Sequence, residues 1–305
     1  MAAVKLPVTV AVAVLALATV AACSQLAARP DAAEIVQRSI AVNTADWKAV
    51  PAYSFCARYR KSKIDSTGHS SVEQAKTYET LMIEGSPYER VIAANNEPLP
   101  REQQQQEEVK LNREIARRQG ESPAQREARI AKYQNGRAEE HMLMQQMIQA
   151  FQFRLAGEQE IEGVDCYVLD AKPNPAYQPP VQKARVLLGM QGRLWIDKEH
   201  YHWVKVEAEV ITPVEFGLFV AKVKPGTSFE LEQAPVGDVW LPKHFSESVN
   251  ASVLGFYGLR CREDEEYSDY KSSLLNAKTQ TPAAQTMNTL GRRPTRASSS
   301  EIAAR

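Results

Sequence analysis

The residues nearest to a metal-binding pattern are Glu199-His200-Tyr201-His202, in a chain with five histidines. On a strand, His200 and His202 fall on one side, and two imidazoles at that spacing can grip one ion. The plainer reading, two imidazoles at the entry of a hairpin, requires no third ligand, and no metal is assigned. The cysteines, at 23, 56, 166 and 261, form no C-x-x-C pair, which disfavours a zinc ribbon or a thioredoxin-like redox site. Nucleophile-elbow, phosphate-loop, zincin and dinucleotide-loop signatures are missing too, so nothing local points to catalysis or a cofactor. Arg113, Arg117 and Arg118 alternate with Glu107, Glu108 and Glu114, the pattern of an internally paired helix face, and this argues against a nucleic-acid surface. The equal totals of 37 basic and 37 acidic residues point the same way. What remains is apolar chemistry. Met142, Met144 and Met147 supply adaptable, polarisable side chains of the kind used where ligands vary, although ordinary core packing explains each one singly.

The elements that would position these groups are mostly strands. Gly192 to Ile211 reads as a β-hairpin turning at Asp197 to His200, and in its return strand Val204, Val206, Ala208 and Val210 alternate with Lys205, Glu207 and Glu209. A short helix starts at an Asp31 N-cap and runs to about Asn43. Strands follow at Tyr53 to Ile64, Glu73 to Glu84 and Tyr88 to Ala93. Two polar helices, about 101–118 and 123–150, interrupt the meander, the second opened by the capping box Ser122-Pro123-Ala124-Gln125. Only their end carries a dense apolar stripe, Leu143, Met144, Met147, Ile148 and Phe151. Strands resume at Gln152 to Glu160, Val164 to Ala171, Lys183 to Leu188, the hairpin, Val214 to Val220, around Phe229 and Leu231, His244 to Val253 and Leu259 to Tyr267. About ten strands make an antiparallel sheet that must curl or pack on something.

Residues 1–22 carry Lys5 and then a small, apolar run, the layout of a signal peptide, too short and Ala-rich for a permanent span. Val20-Ala21-Ala22-Cys23 resembles a bacterial lipobox, which makes Cys23 the lipidated first residue and 23–30 a tether. Plain cleavage at an A-x-A-like site is the alternative. Export permits disulfides, but Cys56, Cys166 and Cys261 are three, so at most one bridge forms; small buried residues are the preferred reading. Beyond Lys271 the Ser-, Thr-, Ala- and Arg-rich sequence lacks periodicity and is expected to be a disordered tail over 271–305.

Ser86-Pro87-Tyr88-Glu89-Arg90-Val91-Ile92-Ala93, the helical insert, Gly192-Arg193-Leu194-Trp195-Ile196-Asp197 with Trp203-Val204-Lys205-Val206-Glu207, and the ending Tyr267-Ser268-Asp269-Tyr270 together resemble the bacterial outer-membrane lipoprotein-sorting (LolA/LolB-like) superfamily over residues 31–270. The resemblance implies an α+β fold, a curved antiparallel sheet forming an incomplete β-barrel with helices on its concave side, and an apolar cavity for lipid or lipoprotein acyl chains. The expected lining is Val204, Val206, Ala208, Val210, Phe216, Leu218, Phe229 and Leu231, under a lid of Met144, Met147, Ile148 and Phe151. Ser24 after Cys23 implies, by resemblance to bacterial lipoproteins, sorting to the outer membrane. The expected activity is binding and not catalysis, in the envelope, with a membrane anchor and an envelope protein as a further partner. A periplasmic interaction or sensor lipoprotein with a filled barrel is the competing expectation.

Overall fold

The computed structural model describes residues 30–216, 221–253 and 257–272. Helix α1 (Ala32–Ala49) begins where expected, with Asp31 extended at the N-cap, though the Asp31 side chain makes no capping bond. It continues past Asn43 because its buried stripe continues in polar residues. Ala32, Ile35, Val36, Ser39, Ile40, Asn43 and Asp46 keep the three- and four-residue spacing, and Asn43 Nδ2 donates to Ser39 O at 2.8 Å.

Among the described residues thirteen strands form one open sheet. β1 (Tyr53–Ile64), β2 (Ser70–Ile83), β3 (Ser86–Ala94) and the two-residue β4 (Glu97–Pro98) make the first meander. Helices α2 (Arg101–Gln119) and α3 (Pro123–Ala150) then carry the chain to the far edge. There β5 (Phe151–Ile161), β6 (Val164–Pro173), β7 (Met190–Asp197) and β8 (Trp203–Val210) run antiparallel, followed by β9 (Val214–Phe216), β10 (Ala221–Val223), β11 (Ser228–Val236), β12 (Val239–Val253) and β13 (Tyr257–Ser272). The order across the sheet is β4-β3-β2-β1-β13-β12-β11-β8-β7-β6-β5, with β9 and β10 branching from β12. The first long strand thus lies beside the last, and α2 with α3 joins the two outer edges.

The helix pair follows its sequence signals closely. Ser122 Oγ accepts from Gln125 N while Gln125 Oε1 accepts from Ser122 N, and Pro123 sits at the first helical position. Two other expectations fail. Gln182–Gly189 is a 3-10 helix and not a strand, with Ala184 and Leu187, three residues apart, turned into the core. The single strand expected over Val214 to Val220 is instead β9 and β10 paired antiparallel, Phe216 opposite Ala221; residues 217–220 lie outside those described.

The two faces of the sheet differ in kind. On the outer face a cross-strand row runs Arg154, Asp170, Arg193, Glu207, Glu230, Ser246, Asp264, Arg60, with Arg193 and Arg154 both paired to Asp170. On the inner face the main core joins Leu169, Leu194, Ile196, Val206 and Val210 to Ile35, Val36 and Ile40 of α1. A second, smaller cluster of Cys166, Val168, Trp195 and Val204 lies on the outer face with Trp240.

Candidate functional site

The inner face offers a seam between α3 and the sheet. α3 is fixed at its start: Gly85, at φ +84, turns β2 into β3 directly under Ile130, where any Cβ would stand 2.9 Å from the Ile130 side chain. Arg118, almost fully buried, reaches the same turn, donating to Ile83 O at 2.8 Å, Ser86 O at 2.7 Å and Pro87 O at 3.0 Å. Arg129 donates to Ser86 Oγ at 2.6 Å and pairs with Glu121. Hydrogen bonds from Arg117, with Arg118 behind them, hold the Glu114 carboxyl down at about 2. At its other end α3 passes straight into β5.

Beneath the C-terminal turns of α3 a cavity of about 30 Å³ is lined by Met147, Phe151, Leu187, Met190, Leu194 and Phe229, among others. Val206, Ala208, Ala171 and Gly192 complete its floor. Gly192 is obligatory there, since a Cβ would lie 2.6 Å from Glu207 O on β8. Leu143, Met144 and Met147 are partly buried against the core, as are Ala208, Phe229 and Leu231. Val210 is buried in that core.

Three expected residues stand elsewhere. Val204 packs on the outer face with Trp195, because a β-bulge puts Trp203 opposite Ile196 and Lys205 opposite Trp195, leaving Val204 as the extra residue. Trp203 takes the inward place that strict alternation gives Val204. Ile148 points to solvent at 44% exposure, since it follows Met147 on the helix and turns off its buried face. Phe216 is half-buried on β9, away from the cavity lining, while Leu218 and Cys23 lie outside the described residues.

Past Phe229 the same inner row becomes polar: Glu247, Glu263 and Lys61 follow across β12, β13 and β1. Lys61 Nζ pairs with Glu263 at 2.7 Å. Burial and a hydrogen bond to Glu263 push the Tyr59 phenol up to about 12. Burial, then the Glu263 charge, raises the Glu247 carboxyl above the ordinary range.

His202 is committed to structure. Its Nδ1 lies 2.7 Å from Asp46 Oδ2, its ring stacks on Trp240 at 5.3 Å, and Asp46 Oδ1 accepts from Trp240 N at 3.2 Å. Trp203 Nε1 donates to Ser39 Oγ beside it. This polar hub ties α1 to β8 and β12, and no group of three metal-ligating side chains occurs among the described residues. Cys56, Cys166 and Cys261 are unpaired thiols; burial pushes Cys166 up to about 11, so it stays protonated and inert. Sequence reasoning missed Asp46, whose only signal is a charged residue in phase with the buried stripe of α1, and read Arg118 as part of an internally paired face, whereas it is buried against the β2–β3 turn.

The chain thus folds as an open antiparallel sheet with its helices laid on one face and an apolar seam beneath them. Solved structures similar to it include an outer-membrane lipoprotein-sorting protein domain from Vibrio parahaemolyticus, at 12% identity over 77% of this chain and 92% of that one, TM-score 0.32. A LolA superfamily protein from Nitrosomonas europaea is 9% identical over 79% and 93%, TM-score 0.28. The Pseudomonas aeruginosa MucA/MucB complex structure is 11% identical over 75% and 93%, TM-score 0.21. At such identities and TM-scores nothing about activity passes from them to this chain. No protein-family model and no curated protein matches the sequence. Among the described residues no helix is long and apolar enough to cross a membrane.

Proposed function

We propose that the protein binds an apolar chain, the acyl chain of a lipid or lipoprotein, between α3 and the sheet, at the cell envelope on a lipid anchor carried by Cys23. The observation supporting this is the contrast between its two helix–sheet seams. Under α1 the apolar side chains are closed off, with Ile35 at 0% and Val36 at 2% exposure. Under α3, Leu143, Met144, Met147, Phe229 and Leu231 are only partly buried. A space of about 30 Å³ is far below the roughly 300–1,000 Å³ of small-ligand sites, so the described form is closed and loading requires α3 to rise. Methionines suit such a seam because they repack around a new neighbour at small cost. Each CH₂ taken in is worth about 0.8 kcal/mol before ordering costs are subtracted. The motif Val20-Ala21-Ala22-Cys23-Ser24 supports sorting of the mature protein to the outer membrane, where an envelope protein would exchange ligand with it.

The small cavity itself favours a second reading, an envelope interaction protein whose interior is simply core. Protein extracted from membranes under mild conditions separates the two. Mass spectrometry is expected to show an acylated Cys23 and co-purified lipid, and Met147→Glu is expected to weaken binding of a fluorescent fatty acid at least tenfold. Wild type that carries no lipid and binds no fatty acid would leave the interaction reading standing.

A further inference from the structure

α3 touches α1 midway along its length through one aromatic stack. The His141 ring lies on the Trp47 indole with centroids 4.2 Å apart and planes 14° apart. The Arg137 guanidinium, one turn earlier on α3, also stands 4.2 Å from that indole and donates to Trp47 O. His141 is 7% exposed. Its Nε2 lies 3.4 Å from Thr44 Oγ1, while its Nδ1 is buried with no hydrogen-bond partner. A buried ring nitrogen without a partner is tolerable on a neutral imidazole, where it is a bare lone pair. It is costly on an imidazolium, where it becomes a buried N–H with no acceptor.

We propose that His141 is an acid-released latch, holding α3 against α1 while neutral and freeing α3 from the sheet when protonated. The inference rests on the reading of α3 as the cover of the apolar seam, but the latch stands or falls separately from any ligand. Among the described residues, the charged groups bearing on the ring are Arg137 on α3 and Lys48 on α1. The 3-10 helix packed on α3 brings Lys183, engaged with Glu139. Protonation would therefore add a second cation to an indole already occupied by Arg137. Burial, then these cations, lowers the His141 pKa below its usual 6.5. Because the docked ring prefers to be neutral, the latch is at full strength above pH 6.5 and weakens as pH falls below it. The docking equilibrium changes by up to about tenfold per pH unit until the docked ring itself titrates.

Hydrogen exchange of the full mature chain without ligand tests this, corrected for the intrinsic pH dependence of exchange. Between pH 7.5 and 5.0, protection of peptides from residues 133–148 is expected to fall about tenfold while that of 164–210 holds. His141→Phe keeps the stack and removes the titration, so its α3 protection is expected to be independent of pH. Should that variant fail to fold, Lys48→Glu, at an exposed position, decides: an added anion near the ring raises the docked pKa towards 6.5 and is expected to shrink the loss of protection between pH 7.5 and 5.0. Unchanged α3 protection in wild type at pH 5.0, or a loss that persists in His141→Phe or is undiminished in Lys48→Glu, overturns the latch. Fatty-acid binding at pH 7.5, measured separately, reports on the seam and not on its release.

Discussion

Replacing Arg118 by methionine isolates the anchor of the helical cover. The substitution keeps the length and most of the apolar stem but removes donors to Ile83 O, Ser86 O and Pro87 O. Ser86 Oγ retains Arg129, and Glu114 retains Arg117, so the loss concentrates on three carbonyls. An unsatisfied buried acceptor costs about 1–3 kcal/mol, and the low end applies here because the turn lies near the sheet edge where water can reach it. The variant is accordingly expected to lose about 3 kcal/mol in urea unfolding, with hydrogen exchange rising first around residues 114–130. Arg113→Met, at an exposed position on the same helix, serves as the control and should stay within about 0.5 kcal/mol of wild type. A loss below about 1 kcal/mol for Arg118→Met would mean that the helices are held by their apolar contacts and that the buried guanidinium is incidental.

Two further outcomes are expected. Glu114, held near 2 by Arg117 and Arg118, stabilises the fold fully above its ordinary value of 4.5, and that contribution disappears as pH falls through about 2; Glu114→Gln should therefore flatten the acid limb of a thermal-melt series over this window, and coincident limbs would refute it. Truncation after Ser272, the last residue of β13, should leave the thermal midpoint within about two degrees of wild type, because the sequence beyond it lacks the apolar periodicity needed to offset ordering entropy; a larger fall would show that the tail docks.

Much of this architecture was legible where the signal is local. The capping box and Pro123 placed α3 to the residue, and alternation placed Val206, Ala208 and Val210 on the inner face. Alternation failed at Val204 because a bulge is a property of two strands, and nothing in the sequence of β8 records the register of β7. Hydrophobic pattern also misread Gln182–Gly189, where Val186, Leu187 and Leu188 look like strand residues but serve a 3-10 turn. The apolar spacing of Met144 and Met147 matches their packing against the core, whereas the groups that hold α3 there left no such pattern. Arg118, Trp47 and His141 look like ordinary surface residues until tertiary packing brings distant segments together.

The placement of β1 beside β13 has a kinetic meaning. Ala57 pairs with Tyr267, so the middle of the sheet can form only after nearly the whole chain is available, and closing so long a loop is entropically slow. Until then β1 and β12 each present a bare edge, able to pair with any extended chain that arrives first. A chain that emerges from a membrane one end first would carry these two open edges until its last strand appears. The centre of the sheet, where its two long arms meet, is the last seam to close and the one most exposed to mispairing.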